Sequence, residues 1–278
     1  MLNFLHAYSP QPILLSLGPV QIHWYGFLMV IGGLLGLWLA VRLAARYQLD
    51  KKIFDDLFLY WVIGAVIGAR VYYVLYAWEM YQENWLDIFK IWQGGLAIHG
   101  IMLGGFSATI IYCRIKKIDF WLLADVLAVG LVAAQIIGRL GNYFNQEIVG
   151  LPTNLPWGIL IDAGNRPFGY GNSLYFHPTF LYESLGNLII LGILLLVTFQ
   201  RFKRKKRQAG NIFLIYLILY SVLRFGLEFL RTDYSPYVFG VRWAMIVSGA
   251  IIIVCAAFLI KRNWFEIKIP ESKIKSQK

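Results

Sequence analysis

Cysteine and histidine are scarce in this sequence. Only two of its 278 residues are cysteines, Cys113 and Cys255, and both lie in or beside apolar runs without CxxC or His-paired spacing. We therefore expect neither a disulfide framework nor a zinc site. The four histidines show no HxH or HExxH spacing, which argues against a metal-dependent hydrolase. We expect neither a metal nor any other cofactor.

Charge is scarce as well. Asp, Glu, Lys and Arg make up 15% of the chain, whereas 59% of it is hydrophobic and its mean hydropathy is +0.60. A soluble domain of this length would be nearer half apolar. The N-terminus lacks the basic start and cleavage site of a signal peptide, so we expect the first helix to stay in the mature protein. The composition predicts an all-α integral membrane protein.

Long hydrophobic runs, by contrast, are frequent. Seven of them are long enough to cross a bilayer, which takes about 20 helical residues. No internal repeat is visible, and an odd number of helices does not suit two equal halves. We therefore expect a single transmembrane domain over residues 1–278. The predicted helices are residues 22–41, 57–78, 94–113, 120–139, 179–199, 211–230 and 242–260.

The basic residues alternate between connections. Most of the 26 Lys and Arg fall in residues 42–52, 114–117 and 201–207 and in a basic tail over 262–278, whereas the other connections are acidic or nearly neutral. By the positive-inside rule, the N-terminus lies outside and the C-terminal tail lies in the cytosol. The net charge of +11 is then explained by topology and by contact with anionic lipids, and we expect no nucleic-acid partner.

The connection 140–178 falls outside under this topology, between the fourth and fifth helices. It is rich in Gly, Pro and Asn and carries several aromatic residues, among them Trp157 and Phe168. Large aromatic side chains are typical of a folded segment and not of a plain linker. We predict that this connection forms a small periplasmic or extracellular cap.

A few ionisable residues fall in or near the predicted spans. With this topology and a rise of about 1.5 Å per residue, most of them reach one depth in the outer half of the membrane. Asp125 is the exception, near the cytosolic end of the fourth helix, where a cap, a helix-dipole contact and a functional role all remain open. The residues at the outer depth are Tyr25, Arg70, His99, Arg139, Glu183 and Arg224.

The sixth predicted helix carries four polar residues at positions i, i+4, i+8 and i+11, which places them on one helix face. An Arg224–Glu228 pair that only neutralises itself would explain half of this pattern. A site that faces the bundle would explain all of it. The four residues are Tyr220, Arg224, Glu228 and Arg231.

Charge counting favours a ligand. The outer zone holds one more arginine than carboxylate, which indicates an anionic ligand. Its basic residues are all arginines, whose forked donors suit bidentate binding of a phosphate. We therefore predict that a phospholipid headgroup binds there. The count compares Arg70, Arg139, Arg224 and Arg231 with Glu147, Glu183 and Glu228.

The segment GRLGNYFNQEIVG, residues 138–150, contains the groups of a binding site. Gly138 and Gly141 remove side chains beside Arg139, so a ligand or another backbone can approach closely. Asn142 and the amides that follow supply donors, and Glu147 can hold an arginine or accept a proton. A polar helix end that is hydrated from outside explains the same residues equally well.

Two further motifs have structural and functional interpretations. His99, in IHG, lies among glycines that ordinarily mark close helix packing, and a lone histidine on an apolar helix is usually structural. Its depth, shared with the arginines, favours a functional role. Tyr25, in HWYG, can be an aromatic residue of the membrane interface or part of the same site.

These motifs together resemble the bacterial prolipoprotein diacylglyceryl transferase family. GRLGNYFNQEIVG is similar to that family's long and specific signature. HWYG, GAR, IHG, HPTFLYE and YSVLRFGLEFLR are individually weak, but they occur in the family's order, so the resemblance covers essentially the whole chain. A modest departure is Tyr143, which stands where phenylalanine is commoner.

The resemblance implies transfer of the sn-1,2-diacylglyceryl group of phosphatidylglycerol to the lipobox cysteine thiol of a preprolipoprotein signal peptide. The products would be a thioether and glycerol phosphate. It also implies a multi-pass protein of the bacterial cytoplasmic (inner) membrane, which we expect to be a monomer among membrane lipids. Catalytic roles fall on Tyr25, His99, Arg139, Glu147 and Arg224, and lipid binding on Arg70, Arg139, Asn142, Gly150, Tyr220, Arg224, Glu228 and Arg231.

The general base stays open at this stage. His99 is one hypothesis, because its unperturbed pKa is nearest to working pH, whereas an arginine field that lowers the pKa of the thiol would make a dedicated base unnecessary. A transporter and a non-catalytic binder of anionic phospholipids are the alternative functions. A transporter predicts polar residues at both depths, but the inner half is almost purely apolar apart from Asp125.

Overall fold

The protein is built from long helices joined by short connections and three two-stranded hairpins. The computed structural model describes residues 8–203 and 209–267. Within these residues, seven helices are long and apolar enough to cross a membrane, which confirms the predicted fold class. They are α1 (Trp24–Arg46), α2 (Lys52–Tyr76), α3 (Ile98–Lys116), α4 (Phe120–Phe144), α5 (Thr179–Lys203), α6 (Asn211–Glu228) and α7 (Trp243–Ile267).

Each predicted span overlaps one of these helices, but several ends differ. Helix α4 continues past residue 139 to Phe144, so Arg139 lies within the helix and not at its end. Helix α6 ends at Glu228, two residues before the predicted end at 230. Residues 204–207 of the basic run and 268–278 of the predicted tail lie outside the described residues.

Contacts between residues divide the chain into two compact units. The first unit combines the residues up to Ala40 with those from Asp125 onward, and the second is Val41–Ala124. In the second unit, α2 and α3 pack through Gly68 and Gly100, where a Cβ on either glycine would collide with the backbone of the other helix. Such close backbone approach drives helix association where burial from water cannot.

In the first unit, α1 meets α4 through Gly36 and Gly130 in the same manner, and α6 packs against α5 and α7. The start of α6 is held by Asp125, whose carboxylate accepts the backbone N–H of Gly210 and of Phe213, each at 2.8 Å. These donors have no partner inside their own helix. Asp125 is therefore a cap supplied to α6 by α4, which answers the question left open by the sequence.

The residues after α4 form a small folded segment. Strands β3 (Ile159–Leu160) and β4 (Tyr175–Phe176) pair antiparallel. They enclose an apolar core in which each side chain is at most 4% exposed. This segment thus shares an apolar core with Phe180 of α5, whereas the external cap and its side of the membrane stay predictions. The core residues are Val149, Ile159, Ile161, Phe176 and Phe180.

Two other hairpins precede helices. Strands β1 (Ile13–Leu17) and β2 (Val20–His23) lead into α1, and strands β5 (Tyr237–Val238) and β6 (Val241–Arg242) lead into α7. The second of these hairpins places Arg242 directly before the first residue of α7. That position carries the arginine to the charged cluster described next.

Candidate active site

Glu183, in the first turns of α5, is the centre of a charged cluster. Its side chain has no exposed surface. One carboxylate oxygen, Oε1, lies 2.8 Å from Arg139 Nη2 and accepts a hydrogen bond of 2.9 Å from the Tyr220 hydroxyl. The other, Oε2, lies 3.7 Å from Arg231 Nη1. A carboxylate so buried within spanning helices requires such cationic partners.

The packing of three helices sets this geometry. Arg139 comes from the C-terminal part of α4, Glu183 from the start of α5, and Tyr220 from the second half of α6. The Ser184 hydroxyl fixes α5 against α4, because it donates to the Ile136 carbonyl oxygen at 2.7 Å. Gly186 brings α5 close to α6, since a Cβ there would lie 2.5 Å from the side chain of Leu223.

Glu228, the last residue of α6, holds a second pair of arginines. Its Oε2 lies 2.6 Å from Arg224 Nη1, and its Oε1 accepts a 2.7 Å hydrogen bond from Arg242 Nε. Arg242 also donates to the carbonyl oxygens of Arg231 and Asp233, at 2.9 and 2.6 Å. The hairpin before α7 thereby fixes the turn that follows α6.

Arg231 and Asp233 form a bidentate pair within that turn. Arg231 Nε and Nη2 donate to the two carboxylate oxygens of Asp233 at 2.6 and 2.9 Å. Burial alone would raise the pKa of Asp233, but the hydrogen bonds and charge of Arg231, with the charge of Arg224, outweigh burial and hold this pKa below its ordinary value. Asp233 is therefore ionised at neutral pH and completes the network.

The cluster contains one more arginine than carboxylate. Among the described residues, four arginines (139, 224, 231 and 242) contact three carboxylates (183, 228 and 233). The side chains of Arg139 and Arg224 are 25% and 20% exposed, whereas those of their glutamate partners are at most 1% exposed. Arg139 and Arg224 are therefore accessible to an anion while the glutamates that pair with them are not, although the Asp233 side chain is itself 40% exposed. Planar guanidinium groups are suited to bind phosphate.

The signature segment 138–150 contributes Arg139 to this cluster and makes further contacts of its own. Asn142 Nδ2 donates to Glu147 Oε1 at 2.7 Å, while Glu147 itself is exposed and forms no ion pair with an arginine in the described parts of the chain. Gly141 lies against Tyr25, since a Cβ there would be 2.9 Å from Tyr25 Cδ2. Gly141 thus makes room for an aromatic residue of α1.

Gly150 joins the cap to the turn after α6. Its backbone N–H donates to the His177 carbonyl oxygen at 2.8 Å, and it forms an antiparallel bridge with Arg231. A Cβ at Gly150 would lie 2.8 Å from both the Leu230 carbonyl oxygen and Thr179 Cγ2. Gly150 thus packs against the turn that carries Arg231, and its part in lipid binding stays a prediction.

The placement of Arg231 corrects one expectation. Its predicted position on the helical face with Tyr220 and Arg224 was wrong, because α6 ends at Glu228 and residue 231 is in a bridge with the cap. Arg231 nevertheless reaches the cluster, from the turn. Asp233 and the clamping role of Arg242 were not foreseen from the sequence. The only available signal was that Arg242 is one of the few basic residues outside the basic connections.

Two predicted site residues belong to the second unit. Arg70 is 7% exposed and donates to four backbone carbonyl oxygens, those of residues 87, 88, 94 and 95, at 2.6 to 3.0 Å. These bonds order the α2–α3 connection. His99 is exposed and stacks on Tyr72 with ring centroids 5.7 Å apart. Lipid binding by Arg70 and catalysis by His99 stay predictions.

A cavity of about 590 Å³ opens beside the cluster. Glu228, Arg231 and Arg242 supply its charged wall, and Tyr170 and Met245 belong to the rest of its lining. A lining that combines charged and apolar side chains suits an amphipathic ligand. The fold and the site together define a multi-pass membrane protein with a buried, arginine-rich charged cluster.

Comparison with known proteins narrows this class. The family model of the prolipoprotein diacylglyceryl transferases matches residues 12–261. A protein of Acaryochloris marina named phosphatidylglycerol–prolipoprotein diacylglyceryl transferase is 48% identical over 240 residues, which cover 86% of each chain. A protein of the same name from Synechocystis sp. is 40% identical over 270 residues, 94% of this chain and 95% of its own length. The chain belongs to the prolipoprotein diacylglyceryl transferase family and is a transferase, as predicted.

Proposed function

We infer that this chain transfers the diacylglyceryl group of phosphatidylglycerol to the lipobox cysteine of preprolipoproteins. The reaction named for its relatives supports this activity. The main structural support for the location of the site is the pair Arg139 and Arg224. Both side chains are partly exposed, and each is paired with a buried glutamate. We place the lipid phosphate at these two guanidinium groups.

The chemistry explains why arginines are needed. The cysteine thiol loses its proton, and the thiolate attacks the glycerol carbon that carries the phosphate. A C–S bond forms as the C–O bond breaks, and its electron pair leaves on the phosphate oxygen of glycerol phosphate. Fixed cations at that oxygen stabilise the charge that develops in the transition state. Glu183 and Glu228 hold Arg139 and Arg224 in place before the lipid binds.

Five further predicted residues of the first unit act around this centre. Tyr220 shares Glu183 with Arg139 and so restricts the orientation of that carboxylate. Asn142 orients Glu147, which we place toward the incoming peptide because it is exposed. Gly150 sets the position of Arg231. Tyr25, packed on Gly141, lines the same end of α4.

We keep His99 as the proposed acceptor of the thiol proton. The alternative, in which the arginine field alone lowers the pKa of the thiol, needs no base. Substitution His99→Gln separates the two, because it removes the titrating group and keeps an amide of similar size. A large loss of turnover near neutral pH supports the base, and unchanged turnover contradicts it.

We further propose a monomer in the bacterial cytoplasmic membrane, with the N-terminus and the cap 140–178 outside and the C-terminus in the cytosol. The alternation of basic connections supports this orientation. Single cysteines placed in the cap and in the connection after α3 test it by labelling with a membrane-impermeant maleimide in intact cells. Labelling of the cap alone is the expected result, and labelling of the α3 connection alone reverses the orientation.

Mass spectrometry tests the activity directly. Purified protein is mixed with phosphatidylglycerol and a peptide that bears a lipobox cysteine, and the peptide mass is measured. We expect a gain of one diacylglyceryl group, lost in Arg139→Ala and kept in the matched control Arg114→Ala, whose side chain is exposed at the end of α3. No gain with folded wild-type protein favours a lipid-binding protein or a transporter.

A further inference from the structure

Asn187, on α5, is buried without hydrogen bonds. Its exposed fraction is 0%, and neither its amide oxygen nor its amide nitrogen has a hydrogen-bond partner among the described residues. Most buried polar groups in proteins are paired, because an unpaired amide loses its hydration without compensation. A buried side chain with an unused donor and an unused acceptor points to a ligand that the protein itself does not supply.

Asn187 belongs to a second polar layer, which we define as Gln135, Asn187 and Tyr216. The Tyr216 hydroxyl donates to Gln135 Oε1 at 3.2 Å and joins α6 to α4 within the layer. That bond uses the amide oxygen of Gln135 and leaves its NH₂ group to donate elsewhere. The layer therefore offers two amide NH₂ groups, one from Asn187 and one from Gln135.

This layer lies one helical turn below the arginines. Each member is four residues from a member of the first layer, which we define as Arg139, Glu183 and Tyr220, and one turn is a rise of about 5.4 Å. The displacement has the same direction on all three helices, because the C-terminal part of α4 meets the start of α5 and the second half of α6 at Glu183. It points toward Asp125 and the start of α6. The pairs are Gln135 with Arg139, Asn187 with Glu183, and Tyr216 with Tyr220.

We propose that this second layer binds the ester carbonyl groups of the diacylglyceryl moiety, with Asn187 Nδ2 as a donor. The proposal rests on the proposed function, which puts the phosphate at Arg139 and Arg224. The ester groups of a phospholipid are a few bonds from its phosphate on the side of the acyl chains, a separation of the order of one helical turn. Ester carbonyls accept hydrogen bonds but carry no charge, which matches amides and not arginines.

Access to Asn187 is restricted to the bundle interior. Because this residue has no exposed surface, it does not face the surrounding acyl chains. In this proposal, the ester part of a lipid whose phosphate is at Arg139 and Arg224 enters between α4, α5 and α6 and displaces the bond between Tyr216 and Gln135. Ester binding there would hold the glycerol carbon in line between the thiolate and the phosphate oxygen. Asn187 would thus determine the preference for ester lipids over ether lipids.

The test compares two lipids and two variants. The lipids are phosphatidylglycerol and its dialkyl ether analogue, which lacks both carbonyl groups. The variants are Asn187→Leu and the control Thr198→Val, which removes a buried hydroxyl that bonds the Leu194 carbonyl oxygen of its own helix. We expect Asn187→Leu to lower kcat/KM for the ester lipid about 3- to 10-fold, as for loss of one neutral hydrogen bond, and to leave kcat/KM for the ether lipid unchanged.

Other outcomes are separable. Equal losses with both lipids would assign Asn187 to packing or to a bound water, and no loss with either would remove it from the site; both overturn the proposal. An inactive wild type with the ester lipid would instead contradict the proposed function. We expect Asn187→Leu to keep or raise Tm, because it removes an unpaired buried amide. If that variant does not fold, Gln135→Met provides the same comparison of lipids.

Discussion

At the scale of single residues, Gly150 is constrained by its neighbours on both sides. Replacement by alanine would place a Cβ 2.8 Å from the Leu230 carbonyl oxygen and 2.9 Å from His177 Cβ. We expect Gly150→Ala to lower the free energy of unfolding by about 1–3 kcal/mol and to reduce transfer activity, because the turn that carries Arg231 must move. Thermal unfolding in detergent and the peptide mass assay measure both effects. The control is Gly164→Ala, where a Cβ meets nothing within 4 Å; equal behaviour of the two variants would contradict this account.

Asp233 gives the cluster a predictable response to acid. Its folded-state pKa lies below the unfolded value, so the ionised carboxylate stabilises the fold above the unfolded pKa, and this contribution is lost as pH falls through the folded pKa. The difference in Tm between wild type and Asp233→Asn is therefore expected to be constant near neutral pH and to shrink below about pH 4. The effect is small, because the Asp233 side chain is 40% exposed. A difference that grows on acidification would have the wrong sign.

Residue types were easier to anticipate than their partners. Intramembrane arginines are so unfavourable in lipid that Arg139 and Arg224 indicated a site from the sequence alone. The pairing of Arg139 with Glu183 and the clamp of Arg242 on Glu228 depend on which helices meet, and those contacts join residues distant in sequence. Hydropathy and helical spacing contain no information on such contacts.

At the scale of the helices, α3 contains two adjacent glycines, Gly104 and Gly105, and only Gly104 lies against the backbone of another helix. A Cβ at Gly104 would overlap the backbone of Gly64 on α2, whereas a Cβ at Gly105 meets nothing within 4 Å. We expect Gly104→Ala to lower the free energy of unfolding by at least about 1–3 kcal/mol, because the two helices must separate. Gly105→Ala should be neutral or slightly stabilising, since alanine is the better helix former. Comparable Tm values for the two variants would show that α2 and α3 do not pack in this way.

The helices were predictable in number but less so at their ends. An apolar run reports that a span exists, because the bilayer requires length and apolar surface. It does not report where the last turn stops. Helix α6 ends at Glu228 because the chain then turns and residue 231 pairs with Gly150 of the cap, a contact that no local pattern encodes. The same contact explains why Arg231 was expected on a helical face and lies in a turn.

At the scale of the whole molecule, the surface is that of a protein dissolved in lipid. Large apolar side chains are exposed along α7, among them Ile253, Val254 and Ile260 at 66–70%. Charged groups are buried for the same reason, because an ionised group within the spans must be paired inside the protein and not face lipid. The arginine cluster is tolerated inside the protein because three carboxylates offset the charges of three of its four arginines.

The most direct test of this account is to measure kcat/KM for phosphatidylglycerol in the Arg139→Lys variant. Lysine keeps the charge but offers a single flexible ammonium group, which cannot hold Glu183 and a phosphate together through a planar fork. We predict a loss of at least about tenfold, with no change in the matched variant Arg114→Lys. Wild-type kcat/KM in Arg139→Lys would show that a positive charge suffices at this position and would contradict phosphate binding by the arginine fork.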